Sequence, residues 1–303
     1  MWMKNLAVFA SATPFSWSVS ELNELLEQTP CKPCGSQEMS SEGFVPPLKG
    51  HVDMLVAAQQ YVFCTYQETV RLLPGPVVTE ELNERVELIE TEQHRKVGRK
   101  ERAEIKEQII FEFLPQAFTR SRQTNVIIDM RRHLIYVDAA SQTRAEQVIN
   151  ALRKAIGTLP VKPLRADIAP ASVFTQWMQQ PHTLPTDLRL GDRCELKGTK
   201  DTSATVRFNA VDITQEEILA LLENQMYPSR LSLTWLDEIE FDVTEDVQFK
   251  RLKPLDLLAE KQENLEGDDE VETLQAQILL QANLIRSMLD VLEAPLALKG
   301  PNE

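Results

Sequence analysis

The sequence predicts an α+β protein with two lobes of similar content and a helical hairpin inserted into the first lobe. Two kinds of pattern predict this class: short alternating apolar runs that indicate strands, and capped amphipathic segments that indicate helices. With 303 residues and 43% hydrophobic content, the chain can bury one large core or two modest ones.

The first lobe opens with a strand and a capped helix. Residues 3–9 predict the strand, and the capping-box spacing of Ser18 and Glu21 predicts the start of the helix. The helix is expected to bury Leu22, Leu25 and Leu26. Later in the chain the lobe is expected to hold strands at 61–66, 125–130 and 133–138, and a helix opened by Thr143 with Glu146 that ends near Gly157.

The inserted hairpin follows a Pro-Gly-Pro break at 74–76. Two helical patterns cover residues 79–96 and 99–113, and Gly98 between them predicts the turn. The apolar stripe is too thin for an independent core, so we expect the hairpin to project from a larger body. Its members are Leu82, Val86 and Ile89 on the first arm and Ile105, Ile109 and Phe113 on the second.

The second lobe repeats this alternation. Its expected elements are strands near Cys194 and at 205–210, a helix opened by Thr214 with Glu217, and a meander at 231–235, 239–243 and 247–250. The last helix carries an apolar stripe that is most often core packing, with a subunit contact as the alternative. The stripe contains Leu274, Ile278, Leu284, Ile285, Met288, Leu289 and Leu292. The predicted domains are 1–75 plus 119–165, the hairpin 76–118, and 166–303.

Positive charge is concentrated in the middle of an acidic chain. Residues 85–165 hold 16 Lys or Arg against 10 Asp or Glu, a net of +6, whereas the other residues hold 16 against 36, a net of −20. A positive segment in a chain of net charge −14 predicts a polyanion partner, with nucleic acid as the first candidate. The hairpin turn alone carries Arg95, Lys96, Arg99, Lys100 and Arg102, near which only Glu101 offers neutralisation; a solvated helix face is the alternative.

The sequence offers little support for a nucleotide-binding protein, a zinc protein or a membrane protein. There is no phosphate-binding loop of the G-x-x-x-x-G-K-[ST] type and no G-x-G-x-x-G motif, and we expect no cofactor. Cys31 and Cys34 form a C-x-x-C pair without the partners that a zinc site needs, so reduced, non-catalytic thiols are preferred. No apolar run approaches the ~20 residues of a membrane span, and a cytoplasmic protein without a membrane partner is expected.

One arrangement resembles an enzyme. Asp187 or Asp192 followed by Glu195-Leu-Lys197 is similar to the acidic-x-lysine signature of metal-dependent nucleases, in which carboxylates hold Mg²⁺ and the lysine supports the attacking water. The pattern is short and common, and exposed strand charges explain it equally well. We therefore expect no catalytic residues and no metal site.

Several blocks in order across about 250 residues resemble one protein family. The blocks are Trp2-Met-Lys-Asn-Leu6, Pro33-Cys-Gly-Ser-Gln37, Gly43-Phe-Val-Pro-Pro47, Leu73-Pro-Gly-Pro-Val77, Leu114-Pro-Gln-Ala-Phe-Thr-Arg120 with Gln123-Thr124, Leu152-Arg-Lys154 with Gly157-Thr-Leu-Pro160, and Lys250-Arg-Leu-Lys253. Together they resemble the bacterial recombination-associated RdgC family.

The resemblance implies a non-enzymatic, nucleoid-associated protein that binds single- and double-stranded DNA without sequence preference. It implies a horseshoe-shaped subunit that closes into a ring-shaped homodimer around DNA and restrains the RecA recombinase. By the same resemblance, Phe118 lies at the dimer contact that closes the ring, and Arg95 corresponds to an arginine of the hairpin tip. Family members carry a lysine pair where this chain has Asn209-Ala210, with Arg207 nearby, so a weaker or displaced basic track is expected here.

Charge and resemblance together give a set of expected phosphate contacts. The set contains Arg95, Lys96, Arg99, Lys100, Arg120, Arg122, Arg131, Arg132, Lys250, Arg251 and Lys253. Two alternatives remain open: a regulator that contacts the recombinase directly through its acidic C-terminal region, and the metal-dependent nuclease centred on Glu195.

Overall fold

The computed structural model describes residues 2–198, 204–263, 265 and 269–300. The chain is α+β, as predicted. Its elements are β1 (Ala7–Ser11), α1 (Val19–Glu27), β2 (Ser40–Val45), β3 (Leu55–Ala58), β4 (Tyr61–Arg71), α2 (Gly75–Gln93), α3 (Arg99–Phe113), β5 (Thr119–Asp129), β6 (Leu134–Val137), α4 (Gln142–Ile156), β7 (Val161–Pro163), β8 (Arg165–Ala166), α5 (Pro170–Gln179), β9 (Leu188–Gly198), β10 (Thr205–Phe208), α6 (Glu216–Glu223), β11 (Met226–Trp235), β12 (Ile239–Thr244), β13 (Phe249–Pro254), α7 (Asp256–Glu263), α8 (Glu270–Leu296) and β14 (Leu298–Lys299).

Two compact units share these elements. The first contains the described residues of 1–27, 46–65 and 124–303, and the second contains residues 28–45 and 66–123. Strands β4 and β5 each run through both units along the chain. The predicted three-domain division is not tested by this partition and stays a prediction.

The first unit contains a larger and a smaller antiparallel sheet around one core, and β8 pairs with β14 in a separate two-stranded sheet. In the larger sheet β1 pairs with β6 and β7, β3 pairs with β4, and β5 pairs with β6. The smaller sheet has the order β10-β9-β11-β12-β13. Alternate residues of its strands, among them Leu196, Leu231, Leu233, Phe241 and Phe249, are fully buried.

Helix α8 completes this core. All seven residues of its predicted apolar stripe, from Leu274 to Leu292, are buried within the unit. Core packing is therefore the correct interpretation of the stripe, and the alternative of a subunit contact is wrong. The N-cap of α8 is Asp269, whose carboxylate accepts hydrogen bonds from the backbone N–H groups of Val271 and Glu272.

The second unit is built on the predicted hairpin and on the adjoining parts of β2, β4 and β5. Helix α3 has the predicted bounds and begins directly after Gly98. Helix α2 begins at Gly75, earlier than predicted, because Pro76 fits the first turn of a helix, and it ends at Gln93 before His94 in a left-handed conformation. The hairpin core is small, as expected, and consists of Val78, Leu82, Val86 and Ile109 with partly buried neighbours.

Several local predictions were wrong. The first strand begins at Ala7 instead of residue 3, because Leu6 forms a bridge with Phe249 of the other sheet. Helix α4 is capped by Ser141, whose hydroxyl accepts the N–H of Arg144, and not by Thr143. Thr214 caps no helix, since its N–H and hydroxyl both bond Asp212, and α6 begins only at Glu216.

Other elements carried no sequence prediction. They are β2, β3, β7, β8, α5, α7 and β14. Helix α5 contributes Phe174 and Trp177 to the core, both nearly inaccessible to solvent. Strand β10 ends at Phe208, two residues before the predicted end, so Asn209 and Ala210 follow the strand.

Because four residues form the buried core of the hairpin, truncation of one of them should be costly. We expect Ile109→Ala, at 0% exposure, to lower the free energy of unfolding by about 2–4 kcal/mol. Phe111→Ala in the same helix, where the ring is 62% exposed, serves as the control and should change it by less than about 0.5 kcal/mol. Urea unfolding followed by helical circular dichroism measures both, and equal losses would contradict the assignment of the hairpin core.

Candidate nucleic-acid interface

The hairpin turn presents cations in two different states. The guanidinium of Arg95 forms a two-pronged pair with the carboxylate of Glu101, at 2.6 and 2.5 Å, and bonds Gln93 at 2.7 Å. The pair raises the pKa of Arg95 and lowers the pKa of Glu101. Arg102 bonds the side chain of Asn83. These two arginines are held by neighbouring side chains.

The other three cations of the turn are open to solvent. Lys96 and Arg99 are exposed and form no salt bridge with the described residues. The side chain of Lys100 is 94% exposed, and its distance of 3.9 Å to Glu104 leaves a weak pair. Because Glu101 is occupied by Arg95, the positive charge of Lys96, Arg99 and Lys100 is not matched at the turn.

Strand β5 places a second group of predicted cations in the second unit. Arg120 and Arg122 are exposed and alternate with Ser121 and Gln123, so the two arginines share one face of the strand. On the opposite face Ser121 bonds Thr69 of β4 at 2.8 Å. The hydrogen bonds of β4 and β5 therefore fix the backbone from which Arg120 and Arg122 extend.

Phe118 precedes this strand and is 85% exposed. A phenylalanine with so little burial contributes little to the stability of the fold. Its backbone carbonyl accepts the N–H of Leu72 at 2.7 Å, and Leu72 is itself 46% exposed. Two exposed apolar residues thus stand on backbone segments that are hydrogen-bonded to each other.

Arg71 holds the loop that carries Phe118, a role that no local pattern in the sequence indicates. Its guanidinium donates to the carbonyl oxygens of Leu114, Pro115 and Ala117 at 2.9, 3.3 and 3.2 Å. It also reaches the carbonyl oxygens of Cys34 and Gly35 at 3.4 and 3.1 Å. One side chain thus supplies donors to five backbone carbonyl groups from two separate stretches of the chain.

In the first unit, Arg131 and Arg132 lie at the turn between β5 and β6. Their backbone N–H groups donate to the buried carboxylate of Asp129 at 3.0 and 2.9 Å. The guanidinium of Arg132 pairs with Asp290 of α8 at 2.5 Å, whereas Arg131 is exposed and forms no salt bridge with any described residue. Of the two, Arg131 is the one with an unmatched charge.

A β-bulge collects the cations of Lys250-Arg-Leu-Lys253 on one face. In the register of the two strands, Asp242 lies opposite Lys250 and Glu240 lies opposite Lys253. Three residue steps along β13 therefore span the same length as two along β12. Arg251, at φ 54°, takes the extra position. Strict alternation would place Arg251 and Lys253 opposite Lys250, but the bulge allows all three to lie on the polar face while Leu252 is buried.

The same face of the smaller sheet holds further charges, of which Arg230 carried no sequence prediction. Arg230 of β11 and Arg207 of β10 flank Glu195 of β9 at 3.1 and 2.6 Å. Burial, and next the charge of Arg230, lower the pKa of Lys250. Strand alternation in β11 would have indicated Arg230, but its place on the same face as Lys250, with β12 between the two strands, follows only from the sheet order.

The nuclease-like residues are engaged in this network. Burial alone would raise the pKa of Glu195, but the hydrogen bond from Arg207 and the charge of Arg230 lower it overall. Lys197 pairs with Glu245 at 2.6 Å, and Asp192 contacts Arg193 at 3.2 Å. Among the residues that the structure describes, no three His, Cys, Asp or Glu side chains lie close enough to hold a metal ion.

Cys31 and Cys34 are half-buried free thiols in the second unit. The thiol of Cys34 donates to the carbonyl oxygen of Thr69 at 3.2 Å, and the sulfur of Cys31 accepts from Gln67 at 3.8 Å.

Within the described ranges no helix is long and apolar enough to cross a membrane.

These observations define a class: an α+β protein with exposed, unmatched cations on a helical turn and on strands. Residues 1–299 match the family model described as "Putative exonuclease, RdgC". The Recombination-associated protein RdgC of Yersinia pestis (strain Pestoides F) is 34% identical over 298 residues, which cover 96% of this chain and 98% of that protein. The protein of the same name from Psychromonas ingrahamii is 34% identical over 291 residues, 95% of this chain and 96% of its own length. The chain belongs to the RdgC family.

The role of Arg71 can be tested directly. We expect Arg71→Met to accelerate amide hydrogen exchange in residues 114–118 and to lower the free energy of unfolding by about 1–3 kcal/mol, since partly buried carbonyl groups lose hydrogen bonds from a charged donor. Arg120→Met, an exposed arginine nearby in sequence, should leave both quantities unchanged within about 0.5 kcal/mol. Exchange that stays as slow in Arg71→Met as in the unaltered protein would show that the loop does not depend on this side chain.

Proposed function

We propose that the protein binds single- and double-stranded DNA without sequence preference, encircles it as a ring-shaped homodimer, and thereby restrains RecA-dependent recombination. The observation that carries this proposal is the set of exposed cations without matched carboxylates in a protein of net charge −14. A strongly acidic chain repels polyanions unless its positive groups are collected where the anion binds. Family membership supports the recombination context.

The chemistry of the candidate contacts supports binding without sequence readout. Lys96, Arg99 and Lys100 are long and open to solvent, which suits phosphate neutralisation and not the fixed bidentate geometry that reads base edges. On the smaller sheet, the lowered pKa of Lys250 reports a site where positive charge is costly. A phosphate group would relieve that cost, because a nearby anion favours the protonated amine.

Closure into a ring is proposed for the surface around Phe118. Phe118 is exposed on a loop held by Arg71, the exposed Leu72 is bonded to its backbone, and symmetric dimers bury the same patch of both subunits. Encirclement would explain tolerance of any sequence, since it uses the shape and charge of DNA. A cytoplasmic, nucleoid-associated location follows from such binding and belongs to the proposal.

The basic turn gives the first test. We expect the triple variant Lys96→Glu, Arg99→Glu and Lys100→Glu to weaken binding to all duplex sequences alike, and to reduce the slope of log K against log salt by about 2–3. The control changes three other exposed lysines, Lys32, Lys49 and Lys162, to glutamate, which gives the same net charge. Fluorescence anisotropy over a salt series measures both. Equal weakening by the two triples would reduce the effect to net charge and contradict a role for the turn.

Ring closure gives the second test. The unaltered protein should remain on a closed circular duplex in high salt and dissociate when the duplex is linearised, with dimers in solution. Phe118→Ala removes most of the apolar surface at the contact, so we expect weaker dimerisation and loss of retention on the circle. Sedimentation and a linearisation assay measure the two effects, with Phe111→Ala as a second exposed phenylalanine for control. Dimerisation and retention unchanged in Phe118→Ala would remove this residue from the mechanism.

A different experiment distinguishes the proposed DNA-binding protein from a metal-dependent nuclease. The family model is described as an exonuclease, which favours the nuclease, whereas Glu195 and Lys197 already form salt bridges. Mg²⁺-dependent release of nucleotides from a linear duplex, or nicking of a circular one, that disappears in Glu195→Gln would establish catalysis. DNA binding without nicking agrees with the proposal made here.

A further inference from the structure

A cavity of about 680 Å³ lies in the first unit, where the N-terminal segment meets the bulge of β13. Trp2, Lys4, Arg193, Arg251, Lys253 and Pro254 are among the residues that line it. Its volume falls within the roughly 300–1,000 Å³ of small-molecule clefts. The lining combines an aromatic ring with several cations.

The ring of Trp2 is held in place. Its indole N–H donates to the carbonyl oxygen of Leu252 at 3.2 Å. The backbone beside it is also fixed, because the N–H of Leu252 donates to the carbonyl of Lys4 at 2.9 Å and the N–H of Asn5 donates to Asp138 at 3.0 Å. The wall that carries Trp2 is thus ordered before any ligand binds.

The charges of the lining are unequal. Arg193 is matched by Glu240 and by Asp242, and the guanidinium of Arg251 lies 3.7 Å from Asp242, which it shares with Arg193. Lys4 and Lys253 are exposed and form no salt bridge in the part of the chain that the structure describes. The cavity therefore keeps surplus positive charge at its rim.

The bulge is what gives the cavity this rim. It allows Arg251 and Lys253 to lie on the polar face of β13, and it places Arg251 in a left-handed backbone conformation that non-glycine residues adopt at a cost. Strained backbone of this kind collects at ligand sites. A regular strand would have directed both side chains to the buried face, on which Phe249 lies.

We propose that this cavity binds one unstacked nucleotide of single-stranded DNA, with the base against Trp2 and Pro254 and the adjoining phosphate at Lys4, Arg251 and Lys253. The inference rests on the proposed DNA binding and assigns single-stranded DNA a binding pocket that a duplex does not occupy. Aromatic rings bind single strands by stacking on exposed bases, which a duplex keeps inside its helix. The surplus charge of the rim complements the phosphate.

The test compares three probes of equal length: oligothymidylate, an oligomer of abasic residues with the same phosphates, and a duplex. We expect the full-length protein to bind oligothymidylate about tenfold more tightly than the abasic oligomer. Trp2→Ala should abolish this preference, and Trp2→Phe should retain most of it because the ring is kept. Trp17→Ala is the control, since the ring of Trp17 stacks instead on Phe15, with centroids 4.8 Å apart.

Each outcome decides something. The nucleotide pocket is overturned if the unaltered protein binds the thymidylate and abasic probes with equal affinity, or if the preference survives in Trp2→Ala. Both conclusions hold at any affinity for the duplex. Duplex binding without a preference for oligothymidylate over the abasic oligomer supports the clamp and contradicts the pocket. A preference that depends on Trp2, without duplex binding, supports the pocket and contradicts the clamp. If Trp2→Ala fails to fold, Trp2→Leu replaces it: an apolar side chain without a ring should lose the preference for oligothymidylate over the abasic oligomer, and a preference that survives in Trp2→Leu overturns the pocket.

Discussion

Backbone pairing between the N-terminal segment and β13 is the contact on which the first unit depends. The N–H of Leu6 donates to Phe249 at 2.7 Å, and the N–H of Phe249 donates back to Leu6 at 3.0 Å. Strand β13 would otherwise be an open edge, a site at which sheets tend to pair with other chains. The N-terminal segment continues into β1 of the larger sheet, so the same few hydrogen bonds join the two sheets and allow their buried faces to share one core. They also bring Trp2 and Lys4 to the bulge.

The charged groups divide according to how well they are matched. Arg85, Arg95, Arg132 and Arg193 each face carboxylates at short distances and stabilise the fold locally. Lys96, Arg99, Arg131 and Lys253 are exposed and form no such pair with the described residues. An acidic protein gains a positive surface only from the second group, because a matched pair has nearly no field beyond its own length in salt.

Local signals account for what the sequence predicted correctly, and tertiary contacts account for most of the rest. Gly98 and the flanking periodicity predicted the turn and the bounds of α3, since both are decided within a few residues. The caps at Thr143 and Thr214 were wrong because competing acceptors, Ser141 and Asp212, lie two residues away. The bulge at Arg251 and the five bonds of Arg71 depend on strands distant in sequence, and a period of two along one strand cannot reveal them. For the candidate site, residue type and exposure were predictable for the hairpin turn, whereas the joint position of Lys250, Arg251 and Lys253 was not.

The salt bridge between Arg95 and Glu101 indicates how matched and unmatched cations would contribute differently to the affinity for DNA. To contact a phosphate, Arg95 would exchange Glu101 for another anion, and an exposed pair of this kind contributes only about 0–1 kcal/mol. The exchange would release few counterions, because the arginine was already neutralised before DNA arrived, while Glu101 would be left beside a polyanion. Lys96, Arg99 and Lys100 carry no such cost, and each phosphate they neutralise displaces condensed counterions. The affinity of the turn should therefore reside in the unmatched cations, with Arg95 holding the turn in the conformation that presents them.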